Sequence, residues 1–157
     1  MAGTVPFVAI ILLPLTLWSA DASAQGRRSK FSIELSTLNS VNLETGKLDA
    51  QAQRCGLAVS DLQTPARAAL STSRLSERQS APDSLFINAS VVAIDEMCVA
   101  AIDVELFRWS TEFRTSVSVW AHKAVLAGGK DGFNSQVRER IEAMTKEFLG
   151  DWLKARQ

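Results

Sequence analysis

Asp103 and Glu105 stand two positions apart in the run CVAAIDVELFR. On a β-strand that spacing turns both side chains to the same side. Paired carboxylates about 5 to 9 Å apart are the equipment of glycoside hydrolysis, so this pair is the candidate for acid–base chemistry. His122 is the one histidine of the chain. A Ser-His-Asp triad could use it, but no G-x-S-x-G elbow accompanies it. A metal site wants several His, Cys or carboxylate groups at set spacing, and no such set occurs, so neither metal nor cofactor is expected. The glycine-rich Gly128-Gly129-Lys130-Asp131-Gly132 lacks the spacing of a phosphate loop and the Ser or Thr after its lysine. It reads as a turn from strand to helix. Asn88-Ala89-Ser90 has the pattern of a glycosylation site but falls within a predicted strand.

Cys55 and Cys98 are the two cysteines. An even pair, with no C-x-x-C, predicts one structural disulfide in an oxidising compartment. The start of the chain agrees. Val5–Leu17 is apolar and uncharged, and Ala22-Ser23-Ala24 supplies the small residues that a signal peptidase reads. Residues 1–24 are therefore predicted to be a signal peptide, and 25–157 a single soluble exported domain. The apolar run is short for a membrane span, which needs about 20 residues, and Pro14 interrupts it. No stable membrane insertion is expected after cleavage. Lys and Arg do not precede the run, which leaves an uncleaved inner-membrane anchor as the alternative.

Elements must position these groups. Phe31, Ile33 and Leu35 alternate with polar residues and predict a strand at 31–36. Glu44–Lys47 predicts a turn. Ser60-Asp61 and Thr64-Pro65 offer two starts for a helix that runs to about Leu70. Residues 71–83 predict a loop with a short edge strand. Residues 85–94, 98–108 and 113–125 are rich in β-formers and predict three strands.

A two-residue turn at Asp95-Glu96 sets Leu85, Ile87, Ala89 and Val91 beside Leu106, Val104, Ile102 and Ala100. A four-residue loop at Trp109–Glu112 sets Leu106, Val104 and Ile102 beside Thr115, Val117 and Val119. Both choices gather the apolar residues on one face. Phe133, Val137, Ile141, Met144, Phe148 and Trp152 then form one stripe at helical period, on a helix from about Asn134 to Lys154 that covers this face. The predicted fold is α+β: a two-layer sandwich, with an antiparallel sheet of about four strands and two helices packed on one face.

In that register the opposite face carries Phe86, Asn88, Asp103, Glu105, Phe107, Trp120 and His122. Asn88, Asp103 and Ser118 share one row, and Phe86, Glu105 and Ser116 the next. Aromatic groups rimmed by polar ones on an otherwise solvated face mark a candidate interface.

Composition narrows the partners. Lys and Arg number 17 and Asp and Glu number 17, which gives no cationic excess for nucleic acid. Hydrophobic residues make up 46% of the chain, enough for a packed core. The reading reached is a small periplasmic or secreted domain of bacterial cell-envelope type, non-catalytic, that holds an envelope protein. Two alternatives stay open: a binder of a small molecule or glycan at Trp120, His122 and Asp103, and a hydrolase using Asp103 and Glu105. The oligomeric state is not legible in the sequence.

Overall fold

The computed structural model describes residues 35–157. Along the chain run β1 (Ser40–Thr45), α1 (Ala50–Arg54), α2 (Val59–Ser71), β2 (Ser76–Glu77), β3 (Asp83–Ile94), β4 (Met97–Ser110), β5 (Thr115–Gly129) and α3 (Phe133–Ala155). The fold is α+β. Its sheet has five strands in the order β2-β1-β3-β4-β5. It is mixed rather than antiparallel, because β1 pairs parallel with both β2 and β3. Three helices, not two, lie wholly within the described residues. The two unpredicted elements are short. β1 has only Val41 and Leu43 to alternate with polar neighbours, and α1 has five residues. The predicted turn at Glu44–Lys47 begins inside β1, and only its second half leaves the strand.

The signal segment 1–24 and residues 31–34 of the predicted first strand lie outside the described residues. Leu35 and Ser36, at the end of that predicted strand, are helical instead.

Helix α1 is short but its ends are built. Asp49 caps it, with Oδ1 accepting from the Gln51 and Ala52 amides at 3.0 and 2.9 Å. It closes at Cys55, after which Gly56 takes φ +71°. The Gly56 amide donates to the Gln53 carbonyl and the Leu57 amide to the Ala52 carbonyl, both at 3.0 Å. That pair of bonds is a Schellman closure, which calls for glycine at this position. A β-carbon on Gly56 would meet no neighbour, so the cost of Gly56→Ala is backbone strain alone. We expect it to lower stability by about 1 kcal/mol. An unchanged urea midpoint would count against this closure.

Helix α2 starts earlier than Thr64-Pro65 suggests, and Pro65 lies inside it. Asp61 accepts the Ala58 amide at 2.9 Å and so secures the first turn. Leu62, Ala66, Ala69 and Leu70 form the buried face. In α3 all six residues of the predicted stripe are buried.

The core lies between the helices and one face of the sheet. Leu85, Ile87, Ala89 and Val91 of β3 face it beside Leu106, Val104, Ile102 and Ala100 of β4, in the predicted register. The two cysteines are joined, with Cys55 at the close of α1 and Cys98 at the start of β4. Trp152 is 1% exposed, and its Nε1 donates to the Leu38 carbonyl at 3.0 Å. Arg156 donates to the same carbonyl at 3.2 Å and lies over the Trp152 ring. At the same end of the sheet Arg108 grips Asp83 with two bonds of 2.8 and 3.1 Å and reaches Thr37, the neighbour of Leu38.

Candidate functional site

The pairing of β4 with β5 decides which side chains share a face. The hairpin turns at 111–114, with Arg114 at φ +52°, rather than at 109–112. Phe107 pairs with Ser118, yet Leu106 pairs with Trp120. Val119 is the extra residue, a bulge that points into the core and is 3% exposed. Leu106 therefore lies beside Trp120 rather than Thr115, Val104 beside His122 rather than Val117, and Ile102 beside Ala124 rather than Val119. Each partner moves by an odd number of residues, which exchanges the faces of β5 beyond the bulge.

Trp120 and His122 consequently sit on the helix side, not among the groups of the open face. The Trp120 ring meets Phe148 edge-on at 5.2 Å, and its Nε1 donates to Asp151 at 3.2 Å. His122 places Nδ1 2.5 Å from Glu147, and its Nε2 lies 3.4 Å from Arg140. Arginine can only donate, so Nε2 accepts and Nδ1–H bonds Glu147. These contacts tie β5 to α3. Asp103 lies on the other face of the sheet, so Trp120, His122 and Asp103 do not converge on one site.

Five of the seven predicted residues remain together on the open face. Phe86 and Phe107 meet edge to face, with ring centroids 6.1 Å apart. Asn88 pairs with Asp103, and Asp103 with Lys123, where the sequence register predicts Ser118. Phe86 pairs with Glu105, and Glu105 with Ala121 in place of Ser116. The Asn88 amide lies against Gly46, where a β-carbon would stand 2.2 Å from its oxygen.

Lys123 is the group that sequence reasoning missed. Its Nζ lies 3.0 Å from Asp103 and 3.4 Å from Glu105. The hydrogen bond that the ammonium donates to Asp103, then the charge of that carboxylate, and then the same two influences of Glu105 raise the lysine above its ordinary range. The carboxylate pair is thus bridged by an ammonium. A glycosidase acid is instead kept protonated by an apolar pocket. Among the described residues no group of three His, Cys, Asp or Glu side chains could hold a metal ion.

The same face holds a second feature. Val92, Ile94, Met97 and Val125 are 53, 58, 48 and 73% exposed and gather at the end nearest the β3–β4 turn. Val99, Ala101 and Ala127 fill the rows between them. Exposed Trp109 marks the opposite end. The alternation of β3 and β4 contains this patch; only the β5 bulge hides that Val125 belongs to it. A shallow depression lined by Arg67, Leu70, Leu75 and Glu77 lies at the other edge of the sheet, and the Arg67–Glu77 pair occupies it with three hydrogen bonds.

No family model matches the chain, and no curated protein matches it. Among solved structures, the PelC dodecamer from Paraburkholderia phytofirmans is similar at 14% identity and a TM-score of 0.46, covering 71% of this chain and 87% of that one. The rare lipoprotein B from Shewanella oneidensis follows at 9% identity and 0.43, covering 74% and 95%. A minor lipoprotein from Acinetobacter baumannii stands at 9% and 0.44, covering 76% and 94%. At such identities and scores the likeness transfers neither a family nor a function.

Proposed function

We propose that this chain is a small exported domain of bacterial cell-envelope type that works without catalysis, by holding another envelope protein against the open face of its sheet. One observation carries the reading: the face turned away from the helices keeps Val92, Ile94, Met97 and Val125 in solvent, beside a polar row of Asn88, Asp103 and Lys123. Contiguous exposed apolar side chains rimmed by polar ones mark an interaction surface. The Cys55–Cys98 bond and the apolar N-terminal sequence support an oxidising, exported setting. No helix among the described residues is long and apolar enough to cross a membrane.

The test is a photo-crosslinking amino acid placed in turn at Ile94, at Met97 and, as a control, at exposed Glu139 of α3. The expected result is one envelope protein joined from positions 94 and 97 and absent from 139. Ile94→Lys should remove that adduct while shifting stability by no more than about 0.5 kcal/mol. Equal labelling from 139, or none from 94 and 97, would defeat the proposal.

A further inference from the structure

We infer that β5 is a self-pairing edge, by which two copies of this chain join β5 to β5 antiparallel about a twofold axis at Val125. The inference concerns the strand edge rather than the open face, so it stands or falls separately from the envelope partner.

Among the described residues β5 has a neighbouring strand on one side only. The Lys130 amide donates to the Glu96 carbonyl at 3.0 Å. Counting back along the antiparallel ladder, even-numbered residues bond β4 as far as the bulge. The odd ones, Ala121, Lys123, Val125 and Ala127, turn their amides and carbonyls to the free side. Natural edges are guarded against pairing by short length, proline or outward charge. The edge at β2 has two residues, whereas β5 has 15 and no proline. Its one lysine leans back over β4 to Asp103 and Glu105 instead of reaching outward past the edge.

The edge also complements itself. With the axis at Val125, Lys123 faces Ala127 of the second copy and Ala121 faces Gly129. On the helix side Ala124 faces Leu126, small against large. Both are half-buried residues packed on the core, and the second copy would finish covering them. Each of these open-face pairs joins two odd residues, the parity that hydrogen-bonded pairing across this edge requires. An axis at Lys123 would oppose two ammonium groups and is disfavoured. Isologous twofold pairing is the commonest form of self-association.

Sedimentation of the protein as isolated from its cells, at about 10 to 200 µM, should show a dimer forming with concentration. Residue-resolved hydrogen exchange on the same sample should show the amides of 121, 123, 125 and 127 gaining protection as the dimer forms. The even-numbered amides should be protected throughout. Ala127→Lys sets an ammonium opposite the second copy's Lys123 and should weaken the dimer roughly tenfold, while Ala127→Glu should strengthen it. A monomer at the highest concentration with freely exchanging odd amides overturns the inference. So does a dimer that leaves those amides unprotected, or one in which the two substitutions act alike.

Discussion

Removing the Cys55–Cys98 bond by the double substitution Cys55→Ala, Cys98→Ala should cost this domain about 4 kcal/mol, the largest loss expected from so small a chemical change. The bond closes a loop of 43 residues. On the chain-entropy model a loop of that size destabilises the unfolded chain by about 4 kcal/mol. What the bond holds matters as much as the loop length. Helix α1 has five residues and could not persist alone, since isolated helices shorter than about 12 residues are marginal in water. The bond fastens its last turn to the first residues of β4, and both sulfurs are within the core. Alanine keeps the sites apolar, so the effect reads as the loss of the cross-link and a small cavity. Urea unfolding of the two forms is the measurement. A midpoint that does not move on substitution, or on reduction of the native protein, would remove the disulfide from the account of stability.

Trp152→Ala should cost about 3 to 5 kcal/mol, the range for deleting a buried large aromatic. Trp152 lies last in the apolar stripe of α3 and is among the largest fully buried side chains. Its removal also takes a donor from the Leu38 carbonyl. Trp152→Phe should cost much less, because Arg156 Nη1 still donates to that carbonyl at 3.2 Å and the ring is kept in part. The contrast between the two variants is the test. Equal losses would mean that the hydrogen bond, and not the ring volume, sets the contribution of this position.

Much of this architecture is written in local pattern. The β3–β4 register follows from two runs of alternating apolar residues across a two-residue turn, since any slip would expose them. The α3 stripe and the Cys55–Cys98 pairing are equally direct. β1 escapes because two apolar residues in six do not make a period, and its position between β2 and β3 depends on partners far along the chain. The Schellman closure at Gly56 was open to notice, since glycine right after a short capped segment marks a helix end. The candidate face was legible for β3 and β4 and misread for β5. A bulge has no sequence signature where both possible faces, Trp120-His122-Ala124 and Ala121-Lys123-Val125, mix polar and apolar residues. One extra residue at Val119 moved a tryptophan and the histidine to the helices and brought a lysine between two carboxylates.

The bond from Trp152 to the Leu38 carbonyl spans 114 positions. Synthesis delivers residue 38 long before residue 152. β1 has no partner until β2 and β3 emerge, and its entry end has no lid until the final helix is complete. The nascent chain therefore carries β1 and an unpaired Cys55 until the β3–β4 hairpin is made, 43 residues on from that cysteine, and its native state closes only when α3 is made. Any shortening that reaches Trp152 would leave a product that begins to fold and never finishes. Such half-closed species, with bare strand edges, are the ones that chaperones hold and proteases remove.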